Sequence, residues 1–475
     1  MDCDFSLNKK CLLIDCKISS LSLTDSQQGR MLKRIFPIAL LTGSGQLFSL
    51  FALKYVSKWG SVLNLRWIGQ FDSLTLFLLN AIALGLQTSA MRDLSLSSDW
   101  KSQYQQAQSA RLTLGLIFCA GSLLYFVNSF YLVFLVAPLI ALNGDYALYA
   151  RSHPVVGAWI GFSRLFLPGF ALILAIQFCP RYLVAVYIAT TLIAYFLSNI
   201  FINGFLKTKS VVKPSFRNLN LYIKSLPLGI VVLALYFIGQ GLILIVPYFY
   251  SNIITATAFV GLKFYMLFKG ILRIIHQAFI REMNSYAICF EVDQLASLAG
   301  FTFAVFTICF PETFIRLFFG EKYIPDKNYF IILSIAGLIY SMFSSFIIKA
   351  MLEKKDIPYA IGTASSAGFT ILLCVVFSFC KQNISSIGLS LVMGELAFAI
   401  FMLNLVKGSG LLIERLKFFL KNIFLLIIPV LVSYFIGDER KGFMIALVLY
   451  TLILTLIYFK KFSIRLPIGG NGEEI

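Results

Sequence analysis

Residues 155–178 read VVGAWIGFSRLFLPGFALILAIQF, and after Cys179, Pro180 and Arg181 the chain resumes at 182–206 with YLVAVYIATTLIAYFLSNIFINGFL. Arg164 is the single charge in the two stretches. A helix needs about 20 apolar residues to cross the hydrocarbon core of a bilayer. A surface helix of a soluble protein would show a polar face at the 3.6-residue period, and neither stretch has one. The pair therefore reads as two antiparallel membrane spans joined by a short link.

The same pattern continues in both directions. Apolar segments fall at 35–57, 68–90, 111–128, 130–150, 155–178, 182–206, 224–249, 253–280, 294–318, 328–351, 357–379, 384–407, 416–436 and 442–459. That predicts an all-α, polytopic transmembrane helical bundle of about 12–14 spans, the smaller number holding if weak pairs are single bent helices. Composition agrees: 59% of residues are hydrophobic and 13% charged, against about 25% charged in a soluble domain, and the mean hydropathy is +0.84. A soluble protein of this composition would lack the polar residues to cover its surface. The longest polar connections, 91–110 and 207–223, are too short for an inserted soluble domain. Residues 1–30 differ from everything after them and read as an N-terminal extension, with Met31, followed by Leu-Lys-Arg and a long apolar run, as the alternative start.

The net charge of +18 sits in short runs between apolar segments, which excludes nucleic acid as a partner because no continuous basic patch forms. The runs decide topology instead. If the N-terminus is cytoplasmic, the great majority of lysines and arginines fall on the cytoplasmic side, including Lys207, Lys209, Lys213, Arg217, Lys354, Lys355, Lys460 and Lys461. Lys54, Lys58, Arg66, Arg181, Arg316, Lys322, Lys327, Lys381, Arg440 and Lys441 remain on the other. Basic residues stay inside, so both termini are expected in the cytoplasm. Nine cysteines without a C-x-x-C pair, and two histidines, His153 and His276, predict neither a disulfide framework nor a metal site. No cofactor is expected, and no P-loop is present to bind ATP.

Charges at membrane depth carry the functional signal, because each costs at least about 2.5–3.5 kcal/mol at a helix centre unless it meets a partner or a cavity. The cations are Lys54 late in the first span, Arg164 in the fifth, and Lys263, Lys269 and Arg273, with His276, in the eighth. Lys269, Arg273 and His276 are spaced to share a face within about 60°, with Lys263 on the same side, which predicts a basic stripe. The carboxylates are few: Asp72, Asp145 and Glu395, candidates for ion coupling. A cationic interior suits an anionic substrate and repels a cationic one in a low dielectric. A membrane polymerase or ligase would carry its carboxylates on sizeable external loops, whereas here the external acids are Glu312, Glu321, Asp326, Asp438 and Glu439 on short ones. A catalytic role is therefore not expected.

The segments GSGQLFSLFALKYVSKWG at 43–60 and WIGQFDSLTLFLLNAIALGLQTSAMRDLS at 67–95 resemble the first two helices of polysaccharide-unit flippases. The later stretch FIRLFFGEKYIPDKNYFIILSIAGLIYSMFSSFIIKAMLEKKD, with its Phe-Gly-x-x-Tyr turn, resembles a hallmark of the wider multidrug/oligosaccharidyl-lipid/polysaccharide exporter superfamily. The pattern is a loose whole-chain one over residues 31–460, and it resembles the O-antigen (Wzx-type) branch. The resemblance implies two six-helix lobes, 31–206 and 224–407, around a central cavity, with an additional C-terminal pair over 416–459. It implies a bacterial inner-membrane protein that moves undecaprenyl-pyrophosphate-linked oligosaccharide units by rocking of the lobes. Arg164, Lys263, Lys269, Arg273 and Lys54 would line the cavity, with a glycan polymerase and a chain-length regulator as partners. Within the same superfamily the alternative activity is ion-coupled antiport of drugs or other small molecules.

Overall fold

The computed structural model describes residues 25–126, 129–151, 153–279, 286–352, 355–380, 383–406 and 427–459, with positions 413, 417 and 420. Most of the N-terminal extension and much of the 416–436 span lie outside these residues. The described chain is helical, without a strand, as a bilayer demands of backbone whose polar groups have no water to bond. The main helices are α1 (Asp25–Trp59), α2 (Val62–Ala83), α3 (Leu86–Leu96), α4 (Trp100–Cys119), α5 (Ala137–Ala141), α6 (Asp145–Ala150), α7 (Pro154–Phe178) and α8 (Leu183–Leu206). They continue as α9 (Asn220–Phe237), α10 (Asn252–Phe279), α11 (Tyr286–Cys309), α12 (Pro311–Phe318), α13 (Lys327–Leu352), α14 (Asp356–Cys380), α15 (Ile384–Leu405) and α16 (Glu439–Phe459). Among the described residues nine helical segments are long and apolar enough to cross a membrane, or ten if the bent pair α11–α12 is one span. The protein is thus a multi-pass membrane protein.

Local signals place the boundaries. Ser61 caps α2 by accepting from the Asn64 amide, and Asn383 caps α15 by accepting from Ser385, each satisfying an orphan donor of the first turn. Of the boundaries that differ from the sequence reading, three bear on the site. The helix expected from 111 begins at Trp100, because Gln, Ala and Lys in WKSQYQQAQSAR favour helix and Tyr104, Gln108 and Ser109 find hydrogen-bond partners inside the bundle. The 294–318 segment is broken at Pro311 and turns by 104°, since proline cannot donate to the preceding turn. The 224–249 segment leaves the α-helix after Phe237 and continues as 3₁₀ turns over Gln240–Leu244 and Val246–Tyr248. Such irregular backbone is tolerated at membrane depth only where protein or a cavity surrounds it.

The Phe-Gly-x-x-Tyr turn has a clear physical basis. Gly320 adopts φ +96°, a conformation that strains any residue with a Cβ, while Phe319 and Tyr323 on either side are buried.

Helix α2 forms the seam between the first half of the chain and the second. Near one end the Tyr222 hydroxyl donates to the Ile82 carbonyl at 2.6 Å and Ser225 Oγ to the Leu84 carbonyl at 3.2 Å. In the middle the Tyr236 hydroxyl donates to the Ser73 carbonyl at 2.6 Å. At the far end Arg66 Nη1 donates to Asn252 Oδ1. Gly85, at φ +75°, closes the first of these contacts. A Cβ there would stand 2.4 Å from the Ser225 carbonyl oxygen and 2.6 Å from the Gly229 nitrogen. Both obstacles are backbone, so Gly85→Ala is expected to destabilise by about 1–3 kcal/mol through strain and overpacking. The check is thermal unfolding of the purified protein; an unchanged midpoint would mean that this seam parts without cost.

Candidate functional site

Three of the interior cations and the three interior carboxylates are brought together one to one. Lys263 Nζ, from α10, donates to Asp72 Oδ2, from α2, at 2.6 Å. Arg164 Nη1, from α7, lies 3.2 Å from Asp145 Oδ2, at the start of α6. Lys269 Nζ, six residues beyond Lys263, lies 2.6 Å from Glu395 Oε1 of α15. Taken singly, these residues divide into substrate-binding cations and coupling acids. The structure joins each acid to a cation, because an unpaired charge at this depth is costly.

The pairs differ in what else they touch. Asp72 also accepts from Gln240 Nε2 at 2.6 Å and, more weakly, from the Tyr187 hydroxyl at 3.4 Å. Since Asp72 lies in α2 while Lys263 and Gln240 come from the second half, this pair bridges the seam. Lys269 donates a second bond to the Ile238 carbonyl at 3.1 Å, and its ammonium stands over the Tyr340 and Tyr265 rings at 4.3 and 4.7 Å. The Tyr265 hydroxyl donates to Glu395, which is 1% exposed. The unwound stretch after α9 thus serves both pairs, through the Ile238 carbonyl and the Gln240 amide. This use of non-helical backbone beside charged groups fits the general pattern of discontinuous membrane helices.

The expected stripe on the eighth span is divided. Positions 263 and 269 lie about 120° apart around a helix, and the two lysines reach different neighbours. The side chains of Arg273 and His276 lie outside the described residues. Lys54 is apart from the interior pairs: its Nζ donates to the Leu317 carbonyl at 2.7 Å, near the end of α1.

One interior cation was hidden by the boundary error at α4. Arg111, the first residue of the 111–128 segment as read from hydropathy, lies in the middle of the Trp100–Leu124 span and is fully buried. Its Nη1 donates to the Asn143 carbonyl, its guanidinium stands 5.2 Å from the Tyr146 ring, and Nε and Nη2 meet the geometric criteria for a hydrogen bond with none of the described residues. Arg164 Nη2 donates to the Asn143 side-chain oxygen, so one asparagine is held by both arginines. Tyr104, Gln108 and Arg111 are spaced i, i+4, i+7, which signals a shared helix face; the Gln108 amide donates to the Tyr104 hydroxyl at 2.9 Å.

No family model matches the sequence, and no curated protein does. Solved structures do. The chain is similar to the lipid II flippase MurJ in an inward closed conformation, with 14% identity over 89% of this chain and 99% of that one, and a TM-score of 0.67. It is also similar to the MATE multidrug transporter DinF-BH, with 13% identity over 80% of this chain and 95% of that one, and a TM-score of 0.51. The fold is therefore the one shared by these two solved transporters.

Proposed function

We propose that this protein is a flippase for undecaprenyl-pyrophosphate-linked oligosaccharide units, of the O-antigen type, working by alternating access in a bacterial inner membrane with both termini in the cytoplasm. The observation that carries the reading is the sign of the interior. Arg111, Arg164, Lys263 and Lys269 stand against Asp72, Asp145 and Glu395, and two nitrogens of Arg111 make no hydrogen bond among the described residues. The diphosphate is the costly group to move through a low dielectric, and cations already in place would substitute for its water and counterions. In this reading Arg164, Lys263 and Lys269 exchange their carboxylates for phosphate oxygens. Asp72, Asp145 and Glu395 are released to take up protons or other coupling ions. Arg273 belongs to the same set by its position on α10. The fold likeness to a lipid II flippase supports a lipid-linked substrate.

The test is complementation. A Gram-negative strain lacking its O-unit flippase should regain lipopolysaccharide ladders on expressing this chain. Arg111→Gln and Arg164→Gln, at equal membrane abundance, should each reduce the ladders about tenfold or more. A lost charge-assisted hydrogen bond is worth about 1.5–3 kcal/mol, and 1.4 kcal/mol is a factor of about ten. Full ladders with both variants would rule out the cationic route. A strain that gains drug resistance and no ladders would point instead to the antiport activity of the same fold.

A further inference from the structure

A second basic site lies away from the interior pairs, at the end of the bundle where α1 meets α2. It is a cavity of about 790 Å³ between the last turns of α1, helix α12 with the turn that follows it, and the start of α16. Lys54, Lys58, Arg316, Lys322 and Arg440 contribute five cations to its lining against one carboxylate, Glu321. Glu321 pairs with Arg316 at 3.1 Å and Arg440 at 3.8 Å. Lys54, Lys58 and Lys322 have no carboxylate within salt-bridge reach among the described residues. Lys54 instead spends its ammonium on the Leu317 carbonyl, and Lys58 stands 5.0 Å above the Trp59 ring. Both are weaker partners than an anion would be.

We infer that this cavity binds a phosphate-bearing headgroup, a diphosphate ester by preference, as a subsite through which the proposed flippase's substrate passes on leaving the interior. The inference rests on the flippase reading. Three features support it. The cavity is within the size range of small-molecule sites. Its charge is strongly one-sided, and a walled cleft of one sign concentrates the opposite ion. It is also built from both halves of the chain. The Lys54–Leu317 bond clasps the first half to α12, so an anion that recruits Lys54 removes that clasp. Arrival of the headgroup and opening of this end are thereby linked through one ammonium.

The test uses the full chain in phosphatidylcholine nanodiscs, with inorganic pyrophosphate and inorganic phosphate as probes in titration calorimetry. Pyrophosphate should bind more tightly than phosphate. The triple variant Lys54→Gln/Lys58→Gln/Arg316→Gln should bind it at least tenfold more weakly, with its thermal midpoint checked against wild type. Should that variant fold poorly, Ser57→Glu places a negative charge in the lining and should weaken binding likewise. Lys209→Gln, on the exposed 207–223 connection and outside both basic sites, should leave this binding in place. Repeating the titration in phosphatidylglycerol nanodiscs separates sources: loss of pyrophosphate binding there means that lipid headgroups occupy the site, and persistence means that a soluble or lipid-linked diphosphate outcompetes them. Unchanged binding in the cavity variants, or an equal loss on Lys209→Gln, overturns the inference. Failed complementation alongside cavity-dependent binding would sink the flippase reading and leave the anion site standing.

Discussion

Replacing Glu395 with alanine is expected to cost the protein about 3–5 kcal/mol, because it strands the Lys269 charge inside the bundle. Glu395 is 1% and Lys269 8% exposed, so water cannot replace the lost partner. What remains to the ammonium is the Ile238 carbonyl and two aromatic faces, which do not offset a full charge. The Tyr265 hydroxyl loses its acceptor at the same time. Lys269→Met should cost less. Its thioether chain fills the space, and the Tyr265 hydroxyl still donates to Glu395. The double variant Lys269→Met/Glu395→Leu should regain most of the loss, since apolar replacement of a whole buried pair is often neutral or stabilising. Thermal unfolding of the three purified variants orders them. A Glu395→Ala midpoint equal to wild type would show that the lysine is held neutral or hydrated, and that the pair carries no structural charge.

The bundle was legible because its signal is long and local: stretches such as 155–178 exclude every soluble alternative by length alone. Arg164, Lys263, Lys269, Asp72, Asp145 and Glu395 were legible for a related reason, as charge in an apolar run stands out. Their pairing was not. Lys263 and Asp72 are separated by 191 positions, and Lys269 and Glu395 by 126, with nothing local to link them. Sequence reasoning set Lys263 beside Lys269 on a stripe, but packing sends one to α2 and the other to α15. Arg111 was missed because polar helix-formers at 100–110 look like a loop when hydropathy is the guide; their partners, Asn143 and Asn203, are also polar and far off in sequence. The break after Phe237 is marked in the sequence only by Gly239-Gln240-Gly241 inside an apolar run. Its role shows only once the Ile238 carbonyl and the Gln240 amide have charges to serve.

The Asp72–Lys263 pair should respond differently from the Glu395 pair, because it bridges halves of the chain that the proposed alternating access would move apart. Asp72→Asn and Lys263→Gln should each lower the thermal midpoint, since each leaves one charge without its partner at 15% side-chain exposure. Their double variant should recover stability: an amide at 72 can still accept from Gln240 and from the new amide at 263. Transport in the complementation assay should stay lost in the double variant and in Lys263→Gln, because the cation that would receive the diphosphate is gone. Asp72→Asn should retain part of its activity, with Lys263 present and free of its competitor. This split between stability and transport distinguishes a substrate-binding latch from a structural tie. A tie would recover both together, and the coupling measured by the double-mutant cycle would then account for the whole effect. Recovery of ladders in the charge-free double variant would therefore remove Lys263 from the substrate path. It would leave Arg111 and Arg164, whose shared hold on Asn143 sets them in the first half of the chain, to meet the diphosphate alone.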